Sequence, residues 1–409
     1  MDIFQEALAV EDYFIGLRRH FHENPELSDQ EDSTVAKIME TLTAAGIACD
    51  NVPGGGVMGY IDSGKPGKTV LLRADIDALP IQEDPCNTKY PKACISKVPG
   101  VMHACGHDTH TAVLLGASKI LQEHRQEFTG RIVLYFERGE EAGHGDYYMM
   151  KYIQDQKIHV DGCWALHCRI ATPTGKIGLT SGGIYAGATS WGVSISNENG
   201  KAVSCAAAVI RNLNTARMRN VPPNEPVTLT PCRFQFGTEN VKFPGSCHIS
   251  GTCRFYHADK AGRPMKKAIR QLIENTCKAY DCKILRLFQS GPTRSVINDP
   301  TCVSIAREAI EKALGKDALV ASEPAMGFES FSILSSYYPS VMVHMGVGNP
   351  EKGMDGPAHN PIFDPDEAGF KYGVSATVSY ALAFLANEKP IPFSPFEGDV
   401  EAYMDSIKN

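Results

Sequence analysis

The strongest constraint on the fold is a set of short apolar runs that alternate with segments of helical periodicity. Apolar residues form the first part of TVLLRADIDALPI (69–81) and most of RIVLYFE (131–137) and GCWALHC (162–168). Residues 111–124 carry apolar side chains at helical spacing. Short apolar runs bounded by polar residues are typical of strands buried on both faces. Strands that alternate with helices predict an α/β domain built on a mostly parallel sheet.

The two ends of the chain fit the same architecture. Residues 4–22 and 33–45 are predicted to form amphipathic helices. Towards the C-terminus we expect a helix over 300–314, a strand over 340–348 and a long helix from about 365 to 387.

Residues 184–296 have a different order of elements. Their patterns predict strand, helix, strand, strand, helix and strand, which is the order of a ferredoxin-like split βαβ unit. We therefore expect an α+β domain over 184–296 that is inserted into an α/β domain formed by 1–183 and 297–409.

Composition excludes several classes of protein. The net charge is −7, and no dense run of lysine and arginine marks a nucleic-acid-binding surface. No apolar stretch reaches the ~20 residues that cross a bilayer, and the N-terminus lacks the features of a signal peptide. We therefore expect a cytoplasmic protein with neither nucleic acid nor a membrane as partner. In such a chain, thirteen cysteines favour reduced core thiols over disulfides, with Cys163, Cys205, Cys232, Cys253 and Cys277 as examples.

Polar side chains lie at or just after the C-terminal ends of the predicted strands. Asp75 and Asp77 follow the first run, Glu140 and Glu141 follow the second, and His167 closes the third. In open α/β sheets, ligands bind outside the carboxyl ends of the strands. These residues can therefore converge on one site although they are far apart in sequence.

The segment HACGHDTH (103–110) is a candidate metal-binding loop. Cys105 and His107 are separated by one residue, so both can reach one metal ion or two adjacent ones. Thiolate and imidazole suit Zn²⁺ and related ions. A polar loop in which Asp108 caps the start of a helix is the alternative for this segment.

The pair Glu140–Glu141 suits metal-assisted hydrolysis. Adjacent side chains point in different directions, so one carboxylate can bind metal while the other faces a water molecule. A solvated acidic turn is the alternative for the pair alone.

His167 and His359 extend the set of candidate ligands. His359 lies in PAHNPIF, a loop after the last predicted strand. Taken singly, each histidine is more typical of a structural residue. Together with Cys105, His107 and the acidic pair, they favour a metal site.

At the level of whole motifs, the chain resembles the M20 metallopeptidase family. It is most similar to the amidohydrolase branch that includes hippurate hydrolases, indole-acetyl-amino-acid hydrolases and N-acyl-amino-acid deacylases. The matching segments run across nearly the whole chain: LRRHFHENPELS (17–28), LLRADIDALPI (71–81), HACGHDTH (103–110), 131–141, ALHC (165–168), GTCR (251–254), GFESFS (327–332) and AHNPIF (358–363).

The resemblance implies a site with two divalent metal ions, Zn²⁺ or Mn²⁺, with Co²⁺ or Ni²⁺ as further options. It implies that Glu140 is the general base and that Asp77 orients the ligands. The inserted domain would be a lid and dimerisation domain, so a homodimer is expected. The implied metal ligands are Cys105, His107, Glu141, His167 and His359.

The chain departs from the family pattern at three places. Glu137–Arg138–Gly139 replaces the usual Gln-Pro-Ala before the acidic pair, and Glu329–Ser330–Phe331 replaces Glu-Asp-Phe. The segment NENGKAVSCAAAV (197–209) lacks the histidine that relatives carry at this point of the lid. The last departure leaves the implied ligand set intact but bears on substrate class and dimer geometry.

The resulting expectation is a metal-dependent amidohydrolase that acts on N-acyl amino acids or related small amides. Arg254 and Asn240 are candidates for binding the substrate. A dipeptidase or aminopeptidase of the same fold is one alternative. A member that binds metal or ligand but has lost turnover is the other, although such a protein has no need of Glu140 as a base.

Overall fold

The computed structural model describes residues 1–237 and 245–408, and they form two compact units. Unit 1 comprises Met1–Gly182, Asn298–Glu323 and Ile333–Pro395. Unit 2 comprises Gly183–Ile297, Pro324–Ser332 and Phe396–Asn409. Two segments that the sequence analysis assigned to the α/β domain, 324–332 and 396–408, therefore belong to unit 2.

The chain contains helices and strands in alternation through most of its length. The described strands are β1 (Ala48–Val52), β2 (Gly56–Asp62), β3 (Thr69–Asp75), β4 (Arg131–Glu137), β5 (Gly162–Pro173), β6 (Ile177–Gly178), β7 (Gly182–Tyr185), β8 (Gly187–Ser196), β9 (Val227–Phe236), β10 (Ser246–Phe255), β11 (Lys283–Gln289), β12 (Val296–Asn298), β13 (Leu319–Val320) and β14 (Ser340–Gly348). The described helices are α1 (Ile3–Ala9), α2 (Glu11–Glu23), α3 (Asp32–Ala44), α4 (His107–Glu123), α5 (Gly145–Asp155), α6 (Ala202–Asn220), α7 (Arg263–Ala279), α8 (Pro300–Leu314), α9 (Ser332–Tyr337), α10 (Phe370–Ala386) and α11 (Val400–Lys408).

Unit 1 is built on an eight-stranded mixed sheet in the order β1-β2-β4-β3-β5-β14-β6-β13. Its centre is parallel, because β3 pairs parallel with both β4 and β5, and β5 pairs parallel with β14. Every residue of β3 and β14 is buried, as expected for central strands covered on both faces. The parallel centre brings the carboxyl ends of β3, β4 and β5 to one edge.

Helices cover this sheet through one extensive apolar core. On β5, Trp164, Leu166 and Cys168 belong to this core, so the alternate residues of the strand face the other way. Burying one side chain of this size stabilises the fold by about 1.5–3 kcal/mol.

Unit 2 has the element order β8-α6-β9-β10-α7-β11, as the sequence predicted. Its four strands form an antiparallel sheet in the order β11-β8-β10-β9. Helices α6 and α7 pack on this sheet over a core of apolar side chains and cysteines that includes Trp191 and Ile249. The predicted fold class, an α/β domain with a split βαβ insertion, is confirmed.

Several predicted boundaries and one burial prediction were wrong. The helix predicted over 4–22 is two helices, because the backbone at Val10 (φ −108°, ψ 14°) leaves the helical conformation while the apolar spacing continues across it. Residues 107–110 belong to α4 and not to a loop, and the last long helix begins at Phe370. Cys232 is exposed on β9, an edge strand, whereas the other four cysteines named above are buried. Among the described residues, no helix is both long and apolar enough to span a membrane.

Candidate metal centre

The carboxyl ends of the central strands surround a group of thiol, imidazole and carboxylate side chains. Cys105 Sγ lies 3.5 Å from His167 Nε2, and Glu141 Oε1 lies 3.0 Å from His359 Nε2 and 4.0 Å from His107 Nε2. All five ligands expected from the sequence therefore lie together in unit 1.

These side chains form three overlapping groups in which the candidate ligand atoms lie within 4.8 Å of one another. The groups are Cys105 with His107 and His167, Cys105 with Glu141 and His359, and His107 with Glu140 and Glu141. Sulfur, imidazole nitrogen and carboxylate oxygen are donors that late first-row divalent ions accept. The donor set therefore fits a metal ion, and the overlap of the groups fits two ions close together.

A glycine turn presents Cys105 and His107 to this centre. Gly106 between them has a φ of +87°, in the left-handed region. A Cβ atom at this position would lie 2.3 Å from Cys168 Sγ, so only glycine fits here. His107 is the first residue of α4, which ties the position of its ring to the helix.

Asp77 connects three parts of the centre. Its Oδ1 accepts a hydrogen bond from His107 Nδ1 at 2.9 Å. Its Oδ2 accepts from the Ser28 hydroxyl at 2.7 Å and from the backbone N–H of Glu141 at 3.0 Å. Burial opposes the charged form of Asp77, but the hydrogen bond and charge of His107, together with the hydrogen bonds from Ser28 and the Glu141 N–H, outweigh it and lower the pKa of the carboxyl. Since Nδ1 donates to Asp77, Nε2 of His107 is left to face the ligand group.

The orientation of His167 is set by its own strand. Its Nδ1 donates to the backbone oxygen of Cys168 at 2.7 Å, so Nε2 is directed at Cys105. The loop that carries His359 is joined to the same place, because the His359 N–H donates to the oxygen of Ala104 at 2.8 Å.

A buried charge network supports His167 and was not predicted from the sequence. Arg73 donates to Glu137 at 2.8 Å and to Asp75 at 2.7 Å. Asp75 accepts from His110 Nδ1 at 2.6 Å, and His110 Nε2 accepts from the N–H of Cys168 at 2.8 Å. Both ring nitrogens of His110 are thus engaged, which makes it a support and not a ligand.

The network also accounts for one departure from the family pattern. Glu137, which stands where glutamine is usual, is the buried partner of Arg73. Arg138 pairs with Glu31 at 2.9 Å, and the N–H of Gly139 donates to the same carboxylate at 2.7 Å. The altered segment is therefore fully integrated into unit 1.

A second buried network holds the first turn of α4. Asp108 accepts from His22 at 2.7 Å and lies 2.9 Å from the Arg18 guanidinium. His22 Nε2 also lies 3.0 Å from Glu83. Helix α2 is thereby linked to the residue next to His107.

Electrostatics at the centre favour a bound cation. Burial raises the pKa of the Cys105 thiol well above its usual value, although His107 opposes this effect. Burial also acts against the charge of Glu141, but the hydrogen bond from His359 and the charges of His107 and His359 together hold its pKa below the usual value. A divalent ion would favour the thiolate form of Cys105, which is the form that binds metal.

The two substrate-binding candidates lie away from these ligands in the sequence. Arg254 is on β10 of unit 2, half-buried, and the buried Nη1 of its side chain has no hydrogen-bond partner among the described residues. Asn240 lies outside the described residues.

A mixed sulfur, nitrogen and oxygen ligand group at the carboxyl edge of a parallel sheet, beside a further carboxylate, defines the class of metal-dependent hydrolases. Comparison with known families agrees with this class. Residues 71–383 match the model of peptidase family M20/M25/M40, and the chain belongs to this family.

Relatives of known name cover nearly the whole chain. An IAA-amino acid hydrolase of Arabidopsis thaliana is 31% identical over 393 residues, which is 92% of this chain and 87% of the relative. An N-acetyl-L-cysteine deacetylase of Bacillus subtilis is 32% identical over 370 residues, 88% of this chain and 85% of the relative. A Bacillus subtilis structure described as a dinuclear metal binding peptidase of family M20 superposes with a TM-score of 0.79 at 28% identity, covering 92% of this chain and 99% of that one. The chain is therefore an enzyme for metal-dependent hydrolysis of amide bonds.

Proposed function

We propose that this enzyme hydrolyses the amide bond of N-acyl amino acids or related small amides, with Glu140 as general base. The observation that carries the proposal is the position of two adjacent carboxylates at the candidate ligand group. Glu141 is in contact with His359 within the ligand group, and Glu140 joins His107 and Glu141 from the neighbouring position.

The metal site of the proposal consists of two divalent ions, Zn²⁺ or Mn²⁺, with Co²⁺ or Ni²⁺ also compatible with these donors. Bound ions would acidify the attacking water and polarise the scissile carbonyl. The proposed ligands are Cys105, His107, Glu141, His167 and His359.

The residues of the chain supply the proton transfers and the positioning. Glu140 takes a proton from the water molecule whose oxygen adds to the amide carbonyl carbon. The same carboxyl then returns a proton to the amide nitrogen as the C–N bond breaks, so that a carboxylic acid and an amine leave. Asp77 acts through His107 and Glu141, whose positions it holds by hydrogen bonds.

The substrate class is supported by the names of two relatives, one a hydrolase of IAA-amino acids and the other a deacetylase of N-acetyl-L-cysteine. Arg254 and Asn240 remain our candidates for binding the substrate. A peptidase is the second candidate function. It is supported by the name of a relative, a thermostable carboxypeptidase of Saccharolobus solfataricus that is 30% identical over 391 residues. A dipeptidase or aminopeptidase would require a free α-amine, whereas a deacylase would not.

A homodimer formed through unit 2 is part of the proposal. Strand β9 lies at the edge of its sheet, and Phe234 and Phe236 on it are 43% and 53% exposed. An open edge with exposed aromatic rings is suited to pairing with a second copy. The cytoplasmic location expected from the sequence stays a prediction.

The decisive experiment is a hydrolysis screen of the full-length enzyme. Chelator-treated protein is reloaded with Zn²⁺, Mn²⁺ or Co²⁺ and offered acetyl-, benzoyl- and long-chain-acyl amino acids and free dipeptides. We expect metal-dependent cleavage of acylated substrates. Cleavage confined to dipeptides would move the assignment to a peptidase.

The role of Glu140 is tested in the same assay. Glu140→Gln should retain its metal, measured by atomic emission, and lose about 10²–10⁴-fold in kcat. Glu40→Gln, at an exposed position on α3, is the matched control. Equal inertness of wild type and Glu140→Gln, both with metal bound, would favour a member that has lost turnover.

A further inference from the structure

Arg169 lies on the same strand as the candidate ligand His167. It is two residues further along β5, and alternate residues of a strand share one face. His344, on the neighbouring strand β14, is in register with His167 and contacts the Arg169 side chain. The guanidinium is therefore placed on the face of the sheet that carries His167, one side chain beyond it.

The guanidinium is anchored through one of its three nitrogens. Nη1 donates to the backbone oxygen of Glu323 at 2.6 Å, and it lies 3.2 Å from His344 Nδ1 and 3.3 Å from Ser322 Oγ. Within the described chain, Nε and Nη2 form no hydrogen bond. Three contacts to one nitrogen hold the planar group in place and leave its other two donors open to a ligand.

Among the described residues, Arg169 is partly buried and has no carboxylate partner, whereas three other arginines of unit 1 do. In the same part of the chain, the partly buried Arg131 also lacks one, but its guanidinium lies 4.4 Å from the centre of the Tyr60 ring. Arg18, Arg73 and Arg138 have carboxylate oxygens at 2.9, 2.7 and 2.9 Å. No described carboxylate lies within 4.0 Å of Arg169, although its side chain is partly buried. A partly desolvated guanidinium without a counter-charge is suited to binding an anion.

The spacing matches the length of an amino acid. Alternate residues of a strand are about 7 Å apart. In an N-acyl amino acid, the scissile carbonyl carbon and the carboxylate carbon are three bonds apart, at most about 3.8 Å. A charge-assisted hydrogen bond adds about 2.8 Å. A carbonyl placed beside His167 therefore brings the α-carboxylate within reach of Arg169.

We propose that Arg169 binds the α-carboxylate of the amino-acid part of the substrate through Nε and Nη2. This inference rests on the proposed function and narrows it, since it selects acylated amino acids over acylated amines that lack the carboxylate. Arg169 would thus determine specificity and contribute to KM, without taking part in bond cleavage.

The test compares the N-acyl amino acid that the wild-type enzyme cleaves best with its α-carboxamide, which has the same shape but no charge. Arg169→Met should raise KM for the acid about 10- to 100-fold and leave kcat within about 3-fold. KM for the carboxamide should stay unchanged. Arg169→Lys should recover part of the loss, and Arg125→Met, an exposed arginine on unit 1, is the control. An equal change for both substrates, or none for either, overturns the inference.

A binding measurement separates failure of this inference from failure of the proposed function. Metal-loaded Glu140→Gln is titrated calorimetrically with N-benzoylglycine and N-benzoylglycinamide, alone and combined with Arg169→Met. At least 10-fold tighter binding of the acid, lost with Arg169→Met, supports the carboxylate site even if the wild type cleaves nothing. Equal affinity for the two compounds overturns the site even if the wild type is an active deacylase. Should Arg169→Met not fold, Arg169→Gln takes its place in both measurements.

Discussion

Units 1 and 2 bury different kinds of side chain. In unit 1, eight ionisable groups of the candidate centre and its two charge networks are at most 3% exposed: Arg18, Arg73, Asp75, Asp77, His107, Asp108, His110 and Glu137. Unit 2 buries mainly aliphatic, aromatic and cysteine side chains such as Trp191, Ile249, Phe255, Ile269 and Cys277. Among its described residues, Glu225 and Glu329 are buried carboxylates, 9% and 2% exposed.

The difference is informative because buried charges are an expensive way to stabilise a protein. Desolvation of each ion is offset only when the ion is paired and hydrogen-bonded, and an apolar core of equal volume is often as stable. The charges of unit 1 are paired, and the pairs end at His107 and on the backbone beside His167. We infer that they are retained for positioning the site, whereas the core of unit 2 is stabilised mainly by apolar packing.

The two tryptophans allow this comparison to be tested unit by unit. Trp164 is buried in unit 1 and Trp191 in unit 2, and the chain has no others. Trp191→Phe leaves fluorescence that reports on unit 1, and Trp164→Phe leaves fluorescence that reports on unit 2. Urea unfolding in each background then gives a free energy of unfolding for the unit in question.

The largest effect is expected from Arg73→Met. It removes the guanidinium that pairs with both Asp75 and Glu137 in the interior, which should reduce the stability of unit 1 by about 3–5 kcal/mol. The unfolding transition reported by Trp164 fluorescence should shift to lower urea concentration, while the transition reported by Trp191 should not. Arg307→Met, at an exposed position on α8, is the control. A loss of stability below about 1 kcal/mol would contradict the role given to the pairing of Arg73 with Asp75 and Glu137.

The corresponding change in unit 2 is Ile249→Ala. It removes a fully buried side chain from the core beside the antiparallel sheet. The free energy of unfolding reported by Trp191 fluorescence should fall by about 2–4 kcal/mol. Because no candidate ligand lies in unit 2, metal content should be unchanged. Loss of metal in this variant would contradict the inference that metal binding depends on unit 1 alone.

Asp77→Asn should weaken metal binding by about 10- to 100-fold. The amide cannot accept hydrogen bonds as the carboxylate does from His107, Ser28 and Glu141, so these groups lose their common support. Competition with a chromogenic chelator measures the affinity directly. Asp12→Asn, at an exposed position, should bind metal like the wild type, and unchanged affinity in Asp77→Asn would contradict the positioning role.

The smallest expected effect is a pH dependence from Asp366 in unit 1. Burial raises its pKa, but hydrogen bonds from Asn349 and the N–H of Ala368, with the charge of Lys352, outweigh this and lower it. A carboxyl whose pKa is lowered on folding stabilises the fold above its unfolded pKa of about 3.9, and this stability is lost as the pH falls through the folded value. At pH 6, Asp366→Asn should therefore lower the free energy of unfolding reported by Trp164 fluorescence by about 1 kcal/mol. This difference from the wild type should vanish in acid. A difference that is constant with pH would contradict this origin.

Local patterns in the sequence were sufficient for much of the fold. The limits of β4, α8 and β14 agree with the prediction, because each is a buried or amphipathic run whose periodicity reflects its own burial. The order of the inserted unit follows from the same signals. The pattern of cysteine, histidine and paired glutamates after the strands favoured a metal site, and the resemblance to the M20 family implied which of these residues bind the metal.

Tertiary structure alone decided how those residues are held. The hydrogen bond from His110 to Asp75, the pairing of Arg73 with Glu137, and the anchoring of Arg169 by Glu323 join residues 35 to 154 positions apart. Such contacts leave no local periodicity, since each depends on which strands become neighbours in the sheet. The apolar pattern of the sequence thus determined the layers and their order, because hydrophobic burial acts residue by residue. The partner of each buried charge was decided only when the sheet assembled, because electrostatic pairing depends on distances that no short segment contains.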